Sequence, residues 1–264
     1  MTHAKSSKGI IGLGALGRAI DTFIPDSTTS PAAVLFTVKA FDLESAIKSE
    51  ANAWPLHLPF ITLCNGYIWP IIERLKPILG SRPVRVGMTT IGSTLKENGS
   101  VEIYAKDTTT SWGLWGSQQE KIPPSAAELK LLGLFPNGTW HDDIRPLIRQ
   151  KWIINVVINS LGAAHRLQRN GLLASHRQEA EGLLDEATSL AELLWPDVPW
   201  PENQKQDLSK KLWQVVDATS GNENSMAKDV RLTRHTESDF LAGVALKYDG
   251  FAKLKTIHKK ITLS

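Results

Sequence analysis

Cysteine is nearly absent from this chain, and the single one, Cys64, excludes an internal disulfide framework and fits a reducing cytoplasm. Long apolar runs are missing as well. No stretch approaches the roughly 20 apolar residues of a membrane span, and the polar start MTHAKSSKG leads into an apolar run broken by glycines, without the hydrophobic region of a signal peptide. Charge of one sign is lacking too. With 30 basic against 27 acidic residues the net charge is only +3, and the basic residues are scattered apart from Lys259-Lys260. That argues against nucleic acid as a partner, while a small anion needs only a few placed cations. The chain shows no internal repeat, no metal spacing among its histidines and no nucleophile elbow, so it offers no basis for a metal site or for hydrolase chemistry. What is present is ordinary globular usage, 42% hydrophobic and 22% charged over 264 residues, enough for one large domain or two ordinary ones.

The first motif is a short apolar strand from Gly9 running into the turn Gly12-Leu13-Gly14-Ala15-Leu16-Gly17, a G-x-G-x-x-G pattern that opens a helical RAIDTFI segment. In a dinucleotide-binding unit the first glycine permits the tight turn, the second lets a pyrophosphate approach the backbone, and the third lets the helix pack on the strand. The helix N-terminus then faces the phosphates with free N–H groups. The loop PDSTTSP follows, and then an apolar strand over 33–38 that ends at Lys39. A complete unit would place a second strand before this point, tipped by a residue that reads the ribose or its phosphate; none is found.

An amphipathic helix FDLESAIKSEA leads to the buried strand PFITLCNGY, which stops at the turn pair Asn65-Gly66. The helix IIERLKPIL follows. VRVGMTTIGSTL, SVEIYA and SWGLWG read as strands, the first two joined at Glu97-Asn98-Gly99, before the helix within KIPPSAAELKLLGLF and a short strand in GTWHDDI. From Arg145 strand signals vanish. Helices are expected around Lys151, over 179–194, in SKKLWQVVDAT and from Asn224 to about Leu246, with a Pro-rich loop at 196–201. The fold class is therefore α/β plus all-α: a truncated Rossmann-like domain over 1–143, then a helical domain over 144–264.

Within that helical half, Lys151, Asn155 and Asn159 recur four apart in an otherwise apolar helix, so they stack on one stripe. A buried ammonium or amide without a partner costs roughly 1–3 kcal/mol or more, so something polar should face them. The bland alternative has the asparagines bonding neighbouring backbone and the lysine reaching water. Ser225 reads as a helix N-cap, and Glu237, twelve residues on, would lie about a third of a turn from it on an ideal helix. On the residues alone Glu237 reads first as a surface partner of Arg231 or Arg234.

GLGALG, the strand ending VKA at 38–40, CNG at 64–66, GMTT at 87–90, KWIINVVINSLGA at 151–163 and ENSMAKDVRLTRHTESDFLAG at 223–243 resemble, in order, the landmarks of the ketopantoate reductases. The resemblance spans nearly the whole chain. It implies a helical C-terminal domain of the 6-phosphogluconate dehydrogenase type and NADPH-dependent reduction of a small 2-keto acid, ketopantoate, to pantoate in pantothenate synthesis. It also implies a soluble cytoplasmic enzyme with no membrane or nucleic-acid partner and leaves a homodimer open. By matched position, Gly12, Leu13, Gly14, Ala15, Leu16 and Gly17 would hold the pyrophosphate, and Lys39 and Asn65 would flank the nicotinamide half. Lys151 would donate the proton, Asn155, Asn159 and Ser225 would hold the substrate together with Asn65, and Glu237 would complete the catalytic and cofactor site. Two departures stand out: the second strand with its phosphate-binding arginine is missing, and the tail after Gly243 lacks a Gly-x-x-x-Pro pattern.

Overall fold

The computed structural model describes residues 4–26, 30–104, 108–115 and 122–263. Parts of the expected PDSTTSP loop, the end of the SVEIYA strand, the end of SWGLWG and the start of the KIPPSAAELKLLGLF segment lie outside them. The chain forms two compact units, Met1–Ile144 and Arg145–Ser264.

The first unit is built on a six-stranded sheet with the order β1 (Ile10–Ile11), β2 (Val34–Phe36), β3 (Phe60–Thr62), β4 (Val84–Thr89), β7 (Thr110–Gly113), β8 (Gly138–His141). β1 to β4 are parallel, β7 runs antiparallel to β4, and β8 is parallel to β7. The four parallel strands are short and buried on both faces, which is why they read as unbroken apolar runs. Helices α1 (Ala15–Phe23), α2 (Leu43–Glu50) and α3 (Trp69–Leu79) connect them. Ile10, Leu35, Ile61 and Trp112 on one face share a core with Ile20 and Ile24 at α1 and with Leu131, Leu132 and Phe135 at α4 (Ala126–Leu132). Strand alternation turns Val34, Phe36 and Phe60 the other way; Phe36 and Phe60 meet edge to face at 4.9 Å.

The expected strand VRVGMTTIGSTL is two strands. β4 stays in the main sheet, while β5 (Gly92–Leu95) turns away to pair with β6 (Val101–Tyr104) around the 97–99 turn, where Gly99 has φ +80°. The Thr89 hydroxyl causes the break, because it accepts a bond from the Ile91 amide at 3.1 Å and so takes that donor from the ladder.

Among the described residues no strand lies beyond β1, so the expected gap in the dinucleotide unit is present in the fold. β1 is the sheet's edge, and the N-terminal arm covers it: Lys5 forms an antiparallel bridge with Ile11, and the Gly12 amide donates to Ala4 O at 2.8 Å. An edge left bare would be a template for wrong pairing.

The second unit contains no strand among its described residues. It consists of α5 (Arg145–Ala164), α6 (Arg177–Leu194), α7 (Leu208–Ala218), α8 (Ser225–Arg231) and α9 (Ala252–Thr262), with short 3-10 helices at Asn170–His176, Ser238–Phe240 and Ala242–Lys247. α5 is the central helix, with Trp152, Ile153, Val156, Val157 and Leu161 buried. Its first turns are fixed by two arginines: Arg145 bonds Asp197, and Arg149 donates to the carbonyls of Val198 and Pro199 while lying 3.7 Å from the Trp200 ring centroid. The Pro-rich loop 196–201 is thus held against the helix. No helix among the described residues is long and apolar enough to cross a membrane.

Candidate functional site

In the first unit the expected residues line up along one edge of the sheet, at the C-terminal ends of three adjacent parallel strands. Gly12 follows β1 with φ +97°, a conformation that L side chains rarely adopt, and a Cβ there would meet the Val38 side chain at 2.6 Å. Thr37 straps the next strand to the turn by donating to Gly12 O at 2.7 Å. Gly17 lets α1 pack onto this turn, because a Cβ would fall 2.1 Å from Gly12 O. Gly14 is different. It is the N-cap residue of α1, with φ −74° and ψ −163°, no side chain caps the helix there, and a Cβ would meet nothing within 4 Å. Uncapped helix N–H groups facing open space are what a pyrophosphate needs. Arg18, which no motif marks in the sequence, donates its Nε–H to Leu13 O at 3.1 Å and so keeps an exposed cation on the turn.

Lys39 and Asn65 sit at the ends of β2 and β3, both half-buried. The Cys64 thiol donates to Val38 O at 3.0 Å, which ties the residue before Asn65 to the residue before Lys39 and makes the two neighbours on the edge. Lys39 precedes a 3-10 turn, Ala40–Asp42, and its carbonyl accepts from the Asp42 amide; Gly66 has φ +92°, as the Asn-Gly turn requires. The arm's two described lysines are already engaged. Lys8 donates to Asp21 O and Ile24 O at the end of α1 and pairs with Asp26 at 2.8 Å, a contact that raises its pKa, while Lys5 pairs with Glu50 at 3.4 Å.

In the second unit Lys151, Asn155 and Asn159 are half-buried, whereas residues 152–154 and 156–158 between them are all buried. The stripe is the one opening along this part of α5. Ser225 and Glu237 do not share a helix, contrary to the expectation of one helix from Asn224 to about Leu246. α8 stops at Arg231, Thr233 takes φ +52°, and the Arg234 amide folds back onto Asp229 O at 2.8 Å. Nor is Ser225 the cap. Asn224 fills that role by accepting from the Ala227 amide at 2.9 Å, and it also donates to Ile158 O at 3.3 Å. Ser225 is therefore anchored at the Asn159 end of the stripe. Glu237 is buried, and the turn it opens is held against α5 and α9: the Trp152 indole donates to Phe240 O at 3.0 Å, and Ser238 bonds His258 of α9 at 2.7 Å. Arg231, one of the surface partners considered for Glu237, makes a two-point pair with Glu223 instead, both bonds at 2.8 Å.

Residues 143–257 match the family model described as Ketopantoate reductase PanE/ApbA C terminal, and residues 18–116 match Ketopantoate reductase PanE/ApbA. The second match begins past the glycine turn, so the turn's role rests on its own geometry. The 2-dehydropantoate 2-reductase of Shigella flexneri is 31% identical over 223 residues, spanning 84% of this chain and 69% of its own length. The crystal structure of the probable 2-dehydropantoate 2-reductase panE from Bacillus subtilis matches with a TM-score of 0.67 at 21% identity, covering 89% of this chain and 77% of that one. The complex of D-mandelate dehydrogenase with NADH matches with a TM-score of 0.78 at 16% identity, covering 96% and 97%. At such identities the two structures speak for the fold alone.

Proposed function

The chain belongs to the ketopantoate reductase family, and we propose that it reduces a 2-keto acid, 2-dehydropantoate first among them, to the 2-hydroxy acid with a nicotinamide dinucleotide. The observation that carries this reading is the half-buried stripe of Lys151, Asn155 and Asn159 on an otherwise buried helix. A protein that only bound or dimerised would have no use for three polar groups there. The bound cofactor supplies the hydride. Lys151 then stabilises the negative charge that develops on the carbonyl oxygen and gives up its proton to it. Asn155 and Asn159 donate to the substrate carboxylate or accept from its hydroxyl without adding charge, with Ser225 beside Asn159 and Glu237 completing the site. The turn Gly12–Gly17 and the start of α1 hold the pyrophosphate, Arg18 adds a cation, and Lys39 and Asn65 hold the nicotinamide half.

A second reading concerns which cofactor and which keto acid. With β1 at the sheet's edge, no strand among the described residues carries a 2′-phosphate reader, and Lys5 and Lys8 are paired with Glu50 and Asp26. The fold neighbour D-mandelate dehydrogenase was solved with NADH. We therefore expect little preference between NADPH and NADH, the missing contact forfeiting roughly 1.5–3 kcal/mol, about ten- to a hundredfold in affinity. The test is titration of both cofactors by the fluorescence of the nine tryptophans, followed by cofactor oxidation with ketopantoate and a panel of 2-keto acids. Comparable binding of both cofactors with turnover of a branched keto acid supports the proposal. Strong selectivity for NADPH overturns the second reading, and no binding of either cofactor overturns the first.

A further inference from the structure

We infer that His165, His176 and Glu179 form a binding site for a divalent transition-metal ion, with zinc as its natural occupant, at the junction of α5 and α6. Two pieces of chain bring the donors together, the end of α5 and the join between the 3-10 helix and α6. His165 directly follows the last residue of α5, His176 ends the 3-10 helix Asn170–His176, and Glu179 stands in the first turn of α6. One donor atom from each lies within 4.8 Å of the others. A Glu179 carboxylate oxygen is 2.8 Å from His165 Nε2 and 3.9 Å from His176 Nδ1, and the two imidazole centroids are 3.9 Å apart. Around a tetrahedral zinc with bonds of about 2.0–2.1 Å the ligand atoms stand about 3.3 Å from one another, midway between those two distances, so small side-chain rotations close the set. A plain hydrogen bond would account for His165 and Glu179 alone. The i,i+3 spacing and the packing of the two rings bring His176 close, and a bound ion would use all three donors at once.

The donor set selects the ion. Two imidazoles and one carboxylate suit zinc and its borderline neighbours and not calcium or magnesium, which prefer all-oxygen sites. Access is open, since the three side chains are 21%, 27% and 43% exposed, and a fourth position is left for water. The backbone around the site is fixed independently of any ion: the Leu167 amide donates to Gly162 O at 2.8 Å, and Asn170 bonds both the Thr219 hydroxyl and the Asn224 side chain. The pocket is therefore in place before the ion arrives, and the ion would clip the end of the helix that carries Lys151 to the start of α6.

The test uses the tag-free full chain, stripped with EDTA and titrated with zinc chloride by calorimetry. One zinc per chain is expected, together with a zinc-dependent rise in the melting temperature. Glu179→Gln, His176→Ala and the double variant His165→Ala/His176→Ala should each lose at least the roughly tenfold in affinity that even an outer-sphere partner is worth, and should lose the thermal shift. Circular dichroism without metal shows whether each variant is folded, and the Gln variant preserves shape if an alanine variant is not. The inference is overturned by absence of saturable zinc binding to the wild type, by equal binding to the double variant, or by magnesium binding as tightly as zinc.

Discussion

Replacing Gly14 and Gly17 separately by alanine distinguishes a glycine kept for the fold from one kept for a ligand. At Gly17 the added methyl would lie 2.1 Å from Gly12 O and 2.7 Å from the Thr37 hydroxyl. The first of these is backbone, which does not move out of the way, so the cost belongs at the upper end of the roughly 1–3 kcal/mol for overpacking. Alanine's better helix propensity returns about 1 kcal/mol, leaving a net loss of about 2 kcal/mol. For a chain of this size that is a fall in melting temperature of roughly 4–8 °C. At Gly14 the methyl meets nothing within 4 Å and the backbone angles are ordinary, so the fold should lose no more than about 1 kcal/mol, the scale of an N-cap substitution. The same methyl would fill the open space in front of the helix N-terminus. Cofactor affinity should therefore drop roughly ten- to a hundredfold, the loss of one charge-assisted contact. Urea unfolding and cofactor titration, both read by tryptophan fluorescence, give the two numbers for each variant. Wild-type cofactor affinity in folded Gly14→Ala would refute the placement of the pyrophosphate, and full stability of Gly17→Ala would refute the packing argument.

The ion pair of Arg85 with Glu128, at 3.0 Å between side chains each 2% exposed, ties β4 to α4, so Glu128→Ala should cost roughly 3–5 kcal/mol in urea unfolding by stranding the arginine. A loss under about 1 kcal/mol would contradict that. His141 on β8 is held below its ordinary value of 6.5 by burial, against a smaller opposing pull from Asp142. The unfolded chain therefore takes up the proton first, and stability should fall as pH drops from 6.5 toward the folded value. His141→Gln should flatten that part of the stability-pH curve, and an unchanged slope would remove His141 as its cause. Asn159→Ala should raise KM for the keto acid more than for the cofactor; equal changes would take Asn159 out of the substrate pocket.

Most of the frame was legible because its signals are local. The apolar runs at Ile10, Val34 and Phe60 are buried on both sides, and the Lys151 helix has its polar groups four apart, so periodicity alone locates them. The glycine turn could be read for the same reason, as each glycine answers to its immediate surroundings. The break after Arg231 could not. It is made at Thr233, a β-branched residue in the left-handed region, with no Gly or Pro nearby to mark the stop, and the compensating Arg234–Asp229 bond is visible only in three dimensions. The identity of the cap was lost in the same stretch, because Asn224 and Ser225 are adjacent and both suit an N-cap; the decision lies with Ile158, 66 residues away, whose carbonyl takes the Asn224 amide. The histidine cluster was invisible for a related reason. His165 and His176 are separated by a 3-10 helix that folds back, and no fixed spacing encodes that return.

Whether Lys151 is the acid of a keto-acid reduction is read from the turnover of Lys151→Ala with ketopantoate, followed by cofactor absorbance and normalised to folded protein. The variant should keep near wild-type stability and bind the cofactor normally, with kcat lowered roughly 10²–10⁴-fold, the loss expected for a placed acid. A variant that is unfolded, or one that retains wild-type turnover per folded molecule, would contradict that role and leave Lys151 a structural residue.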